Sequence, residues 1–499
     1  MKSILSKLRK KTSPCTSPIL VPASPQLIGL TKKINSPEFY SFSLDGSGSR
    51  PAASLCGDID SFSLDCDIGM MKPLSLGGEL DDCEGGAVDQ SGFECFNELG
   101  VEVKMHIISF LSYKDLISLS ECSKEMFSFT HDRLLWINLF QITGWELPTY
   151  IKSNLHFNLI QYYQTKSNLT SKDALIWKSN SNSTGSVPTK RYKHTSITYK
   201  HYVIFIGGQE TNTKRFSEII YYNTKTNTYN SPSVKGDIPN FSRHTSRVIK
   251  NKVFIFGGFN GAGTYYNLAI YNLESKRWCN INQSMVSGDI PEPRSNHTSA
   301  VVGNRYYIFS GNNTADDGQY RVLDDFFYLD TKTLCWHRVS NATGELPCGR
   351  GGHAMETIDG KIYLFGGGVW SPNGGWAKRF NDVYIYDPET NYWSKPTING
   401  DLPVTSTFCS SFVYGRYLML FGGGCHKTNR VTNTTYALDT VAMRWHKLQN
   451  PDNSEDPRPR DMASASIINN QVYLYGGYSS GAIDYCDHIT LNFKPLNSY

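Results

Sequence analysis

The sequence predicts an all-β fold, a six-bladed β-propeller, preceded by a small all-α cluster and a disordered N-terminal tail. Three observations predict it. Six short apolar runs end in Gly-Gly, or once in Ser-Gly: VIFIGG at 203–208, VFIFGG at 253–258, YYIFSG at 306–311, IYLFGG at 362–367, LMLFGG at 418–423 and VYLYGG at 472–477. They recur about every 50–56 residues, the period of a blade-sized unit of short strands. About thirteen residues before each first glycine, or before Ser310, stand His194, His244, His297, His353, Cys409 and Ala463, each opening a β-branched-rich segment. After each glycine pair comes a loop of variable length and a second apolar run: IIYYN, LAIYN, FFYLD, VYIYD and TYALD. About six residues later stands one aromatic: Tyr229, Trp278, Trp336, Trp393 or Trp445.

These segments supply four strands per unit, the makings of one blade. The glycine pair after the second strand belongs at a turn too crowded for a Cβ. The aromatic of the outer strand buries a ring between neighbouring blades, worth about 1.5–3 kcal/mol. Over residues 188–493 the pattern resembles the kelch family. The sixth unit lacks an outer strand, because its third strand near 489–493 is followed only by KPLNSY, where Tyr499 could fill the aromatic position. Upstream, DALIWKSN at 173–180 reads as an isolated strand, with Trp177 placed before Arg191 and His194 much as Trp336 is placed before Arg350 and His353. The strand around Trp177 is therefore expected to complete the last blade, since an open ring would expose sheet edges.

The 499 residues carry a net charge of only +4, so no global field argues for nucleic acid. The twelve cysteines form no C-x-x-C pair and no zinc-spaced cluster. They read as reduced packing residues of a cytosolic or nuclear protein. Neither a secretory signal nor a stretch of about 18 apolar residues is present, so no membrane span is expected. Residues 1–92 are rich in Ser, Pro, Gly and Asp and read as a disordered tail, basic first and acidic afterwards. Within it Ser13, Ser17, Ser24 and Ser36 each precede proline and are candidates for proline-directed phosphorylation. SFSLD occurs twice, at 41–45 and 61–65.

Between 93 and 140 apolar residues recur at helical spacing: Val103, Ile107, Ile108, Phe110 and Leu111, then Leu116, Ile117, Leu119 and Cys122, then Met126 and Phe127. Ser112 is placed to cap a helix, with Asp115 as its capping-box partner. The cluster is too small to bury all its apolar residues alone. It resembles an F-box, through the opening Leu99, the helix end at 107–111, the S-x-x-D-L turn at 112–116, Leu119 and Cys122, and the closing Leu134-Leu135-Trp136; Gly100 stands where the family usually has proline. Residues 141–172 form a helical linker, with a helix expected around 155–163, and residues 173–499 the propeller.

F-box proteins bind the Skp-type adaptor of cullin–RING (SCF) ubiquitin ligases, and a second domain selects the substrate. The resemblance thus implies a substrate receptor with no catalytic residue, no cofactor and no metal, partnered by Skp-type adaptor, cullin and a substrate protein. The implied adaptor-binding residues are Leu99, Ile107, Ile108, Leu111, Leu116, Leu119 and Trp136. Arg191, Arg294, Arg350 and Arg460, with Arg243 close by, recur with the histidines and read as architectural contacts between blades. Substrate binding is expected on the long unequal loops, at Arg321, Trp370, Trp376, Lys378, Arg379, His426, Lys427 and Arg430. Tryptophan beside arginine is the composition of interface hot spots, and the cations suit an acidic or phosphorylated segment. The alternative is a kelch scaffold for cytoskeletal or signalling partners without ubiquitin transfer. An oxidase-like copper site, the iron triad of plant specifier proteins and the flavin domain of Zeitlupe-like photoreceptors find no supporting residues; Ser480 stands where the iron triad needs glutamate.

Overall fold

A computed structural model describes residues 96, 98–171, 174–314, 320–371, 375–425, 427, 428, 430–451, 455–479 and 483–493. The chain divides after Lys104 into two units. The tail, its candidate serines, His426 and Tyr499 lie outside the described residues.

Among the described residues six helices come first: α1 (Val101–Ile108), α2 (Tyr113–Ser120), α3 (Lys124–Thr130), α4 (Arg133–Ile142), α5 (Thr149–Ser153) and α6 (Leu159–Leu169). Short polar side chains cut them apart. Ser112, Ser123, Asp132 and Asn158 cap α2, α3, α4 and α6, each accepting hydrogen bonds from backbone N–H groups of the first turn. The helix expected at 155–163 begins instead at Leu159 and runs to Leu169, because the Asn158 cap sets its start. Trp136 anchors the cluster, its indole N–H donating to the Thr130 carbonyl at 2.7 Å and its ring 5.5 Å from that of Tyr163. Phe140 stacks on Tyr162 at 5.4 Å.

The propeller follows as six blades. In the third the sheet order from the axis outward is Thr298–Val302, Arg305–Phe309, Phe326–Asp330, Cys335–Arg338 and a short parallel edge, Ser287–Gly288. The last blade has three strands of its own, Ser464–Ile468, Gln471–Tyr475 and His488–Asn492, and takes its outermost one from Trp177–Ser179. Trp177 lies opposite Leu491, as Trp336 lies opposite Leu329 and Trp445 opposite Leu438. Each outer tryptophan reaches into the seam with the preceding blade: Trp336 sits 5.0 Å from Phe256, Trp445 5.3 Å from Phe365 and Trp177 5.1 Å from Phe421. The core is thus a set of seams between blades, such as that joining Ile204, Ile206 and Tyr221 to Val253, Ile255 and Trp278.

The glycine pairs serve those seams. A Cβ on Gly257 (φ +66°) would collide with the carbonyl oxygen of Arg294 in the next blade, and the Gly258 N–H donates to that same oxygen at 2.8 Å. Ser310 takes the first position in blade three with φ +56°, and its hydroxyl bonds to both the carbonyl and the N–H of Arg350. The recurring arginines are fully buried, but their side chains brace their own blade, not the neighbouring one as expected. Arg350 donates to the Cys348 and Gly366 carbonyls at 3.0 and 2.9 Å and to Asp382 at 2.6 Å. Arg460 repeats the set with Arg458, Gly476 and Asp487. Arg294 and Arg191 do so with Asp325 and Glu218. The histidines do join blades. Nε2 of His244, His297 and His194 meets the hydroxyl of Thr195, Thr245 and Ser464, one blade back, at 2.9, 2.9 and 2.7 Å. Burial holds His244 down to about 3, so it stays neutral at ordinary pH.

Helix α6 packs beneath blade five. Asp439, at the end of the third strand Thr435–Asp439, accepts from the hydroxyls of Tyr162 and Tyr417 at 2.9 and 3.0 Å and pairs with Lys166 at 2.9 Å. Its carboxyl is further bonded by the N–H groups of Val441 and Ala442. Burial opposes its charged form, but Lys166 and these donors hold it below the usual carboxylate range.

Candidate functional site

Around the propeller axis, the residues immediately before His194, His244, His297, His353, Cys409 and Ala463 form a closed ring. The N–H of Arg243 donates to Lys193 O, Asn296 to Arg243, Gly352 to Asn296, Phe408 to Gly352, Met462 to Phe408 and Lys193 to Met462, at 2.7–3.1 Å. All six adopt a left-handed φ between +50° and +66°, although only one is glycine. Strain of this kind persists where the surroundings over-determine it. Here the hydrogen-bonded ring does so, and the five side chains it carries differ from blade to blade.

Above the ring opens a cavity of about 320 Å³, lined by Lys193, Arg243, Asn296, Asn312, Gly368, Trp370, Trp376, Phe408 and Met462. The hairpin of Gly368–Trp370 and Trp376–Arg379 leans its rings over it. Trp376 lies 5.3 Å from Trp370 and 5.9 Å from Phe408. Arg243 and Arg215 both stand over the Phe259 ring at 4.8 Å. Arg379 stands over Trp376 at 5.2 Å and donates to the Cys425 carbonyl at 2.7 Å. The cavity therefore offers aromatic faces and clustered cations, a surface that can hold an anionic group beside an apolar one. Asp461, whose Oδ1 is buried without a hydrogen-bond partner, is the acid beside them; burial pushes its carboxyl up to about 7.

Of the loop residues expected to bind, Trp370, Trp376 and Arg379 gather at this mouth. Lys378, Lys427 and Arg430 are exposed. Arg321 is tied to Glu292. Sequence reasoning missed Lys193, Asn296, Phe408, Met462 and Asp461. It also grouped Arg243 with the architectural arginines, whereas Phe241 holds that place in blade two and offers its carbonyl to the Gly208 N–H. For Lys193, Asn296, Phe408 and Met462 the signal was available: each varies from unit to unit just before the recurring His194, His297, Cys409 and Ala463 column.

The helical cluster supplies a second surface. Ile108, Leu111, Leu116, Leu119 and Trp136, expected to meet an adaptor, are buried, and Ile107 and Leu99 are half-buried. The first five form the cluster's own core: Ile108, Leu116, Leu119 and Trp136 fall on the inward side of short helices, and Leu111 turns inward between α1 and α2. The exposed large apolar residues there include Phe110 at 53%, Leu134 at 68% and Ile142 at 72%. Among the described residues no group of His, Cys, Asp and Glu is placed to hold a metal ion, and no helix is long and apolar enough to cross a membrane.

The family model described as the KLHDC2/KLHL20/DRC7 Kelch-repeats domain matches residues 162–367 and 279–477. One described as F-box-like matches residues 96–142. Host cell factor of Drosophila melanogaster is 29% identical over 343 residues, covering 63% of this chain and 22% of that protein. Host cell factor 2 of Homo sapiens is 29% identical over 338 residues, 61% of this chain and 41% of that protein. Kelch domain-containing protein 3 of Bos taurus is 25% identical over 341 residues, 61% of this chain and 85% of that protein. The chain thus spans less than half the length of either host cell factor.

Proposed function

We infer the function from the premise that the chain belongs to the KLHDC2/KLHL20/DRC7 Kelch-repeats family and carries an F-box-like domain ahead of its propeller. It is the substrate-recognition subunit of an SCF-type cullin–RING ubiquitin ligase, working in the cytoplasm or nucleus. Residues 93–140 engage the Skp-type adaptor, and through it cullin, while residues 173–499 capture the substrate protein. Such a subunit does not itself transfer ubiquitin; it raises the rate by holding a substrate lysine near the charged conjugating enzyme.

The observation that supports the reading is that the mouth and the helical cluster lie at opposite ends of blade five. The strand Ser410–Tyr414 begins beside Phe408 at the mouth and ends at Tyr414, which accepts from the Asn168 amide of α6 at 2.8 Å. Five strand residues span about 17 Å. The mouth therefore faces away from the helices. Its tryptophans and the cations Lys193, Arg243 and Arg379 favour a partner segment of acidic or phosphorylated character, with Arg321, Lys378, Lys427 and Arg430 adding positive charge on the propeller loops.

The test is a pull-down of the full chain with purified Skp-type adaptor and cullin. Substituting Phe110→Asp with Leu134→Asp charges exposed positions and should abolish capture while circular dichroism stays unchanged. Leu111→Asp with Leu116→Asp would instead charge the buried core and unfold the cluster. Failure of the folded wild type to bind adaptor would overturn the reading in favour of a scaffold without ubiquitin transfer.

A further inference from the structure

Lys193 is the amine among the cations that line the mouth. Its side chain forms no ion pair and no hydrogen bond with the described residues. Its Nζ lies 5.8 Å from the centre of the Phe408 ring and 5.7 Å from that of Tyr192. The backbone beneath it is pinned on both sides, its N–H to Met462 O and its carbonyl by the Arg243 N–H, each at 3.0 Å. The amine is thus held at the wall of an aromatic-lined cavity of about 320 Å³ that is open to small molecules.

We propose that Lys193 is a nucleophilic amine that condenses with an anionic aromatic aldehyde in the mouth of the propeller, the ring lying against Phe408 and Trp376 and the anion on Arg243. The amine nitrogen adds to the aldehyde carbon, and one proton passes from nitrogen to oxygen to give a carbinolamine. The hydroxyl then takes a proton and leaves as water, giving the imine. Amine and aldehyde become imine and water, with no oxidant or reductant. Water in the mouth relays both protons, with Asp461 as the neighbouring acid whose charge reaches Lys193.

The surroundings prepare these groups. Burial, then the neighbouring charge of Arg243 and more weakly that of Arg215, lower Lys193 to about 7, with Asp461 opposing. Burial raises Asp461 to about 7, against the charges of Lys193 and Arg379. Near neutral pH an amine so placed is about half uncharged, against fewer than about one in a thousand for an ordinary lysine. The acid is partly protonated over the same range. The inference does not depend on adaptor binding and stands or falls separately.

The experiment incubates the full chain with pyridoxal 5′-phosphate, traps the imine with borohydride and locates modified lysines by peptide mass spectrometry. Lys193 should be labelled at least about tenfold faster at pH 7 than the exposed Lys214 and Lys378, with the rate rising through a midpoint near 7 instead of the ordinary lysine range near 10.4. Arg243→Met should lower labelling by phosphorylated aldehyde but not by benzaldehyde, and Lys193→Arg should remove it while preserving the fold. Labelling spread evenly over exposed lysines would overturn the proposal. So would a Lys193 midpoint near 10, or equal labelling by the two aldehydes.

Discussion

The buried arginines show how one residue type serves two purposes in the same fold. Arg294 is fully buried, with its guanidinium shared between the Glu292 and Ser310 carbonyls and Asp325. Arg321, in the same blade, meets Glu292 with both side chains about half exposed. Removing one partner of a buried, hydrogen-bonded pair leaves a charge stranded in a poor solvent, whereas an exposed pair returns to water. Arg294→Met should therefore lower the free energy of unfolding by about 3–5 kcal/mol in urea titrations, while Arg321→Met should change it by less than about 1 kcal/mol. A loss at Arg321 as large as that at Arg294 would refute the distinction. In the sequence the recurrence of Arg191, Arg294, Arg350 and Arg460 pointed to structure, but their acids did not stand out. Glu218, Asp325, Asp382 and Asp487 sit just before each third strand, in a loop region whose length varies, so no fixed spacing from the arginine marks them. Lys193 and Arg243 were illegible for a related reason. Their importance comes from a left-handed backbone closed into a ring, and no local pattern of lysine or arginine encodes that.

At the scale of strands and helices the glycine pairs and outer aromatics were legible because each answers a local demand that repeats. The glycines admit the next blade's carbonyl, and the aromatics fill a seam. The helices were legible in kind but not in bounds, since Asn158 rather than the apolar spacing starts α6. Burial was misread for the same helices: on segments of seven to ten residues, apolar spacing does not tell the inward residues from the outward ones. Trp177 makes the most exacting case for the seam argument. It is fully buried, pairs across from Leu491 and contacts Phe421, yet only a three-residue strand attaches it to the ring. Trp177→Ala should cost about 3–5 kcal/mol, as for other large buried rings. A fragment beginning at Ser186, lacking the strand altogether, should lose the single cooperative transition in urea followed by tryptophan fluorescence. Retention of one sharp transition by that fragment would mean the ring holds without its closing strand.

For the whole molecule, the decisive feature is that the helices continue into the propeller through Asp439. A carboxylate buried beneath blade five binds two tyrosine hydroxyls, a lysine and two backbone N–H groups, drawing α6 and the blade into one network. Tyr150 and Phe157 add contacts at the same edge, to the Val441 carbonyl at 3.4 Å and the Arg416 guanidinium at 4.1 Å. If the chain presents a captured substrate to a conjugating enzyme, this network fixes the separation between the two. Effective concentration at the reacting lysine depends on that separation and on how little it varies. Asp439→Asn removes the charge that Lys166 neutralises and replaces an acceptor with a donor facing the tyrosine hydroxyls. Partner capture at the mouth and adaptor capture at the helices lie away from Asp439 and should keep their affinities. Ubiquitin transfer to a captured partner should fall several-fold, through a lower maximal rate and not a weaker half-saturation. Hydrogen exchange of α6 amides should accelerate while that of the innermost strands stays slow, which separates a loosened joint from a destabilised propeller. A variant with faster α6 exchange and undiminished transfer would show that the docked helix sets stability and leaves presentation to the partners.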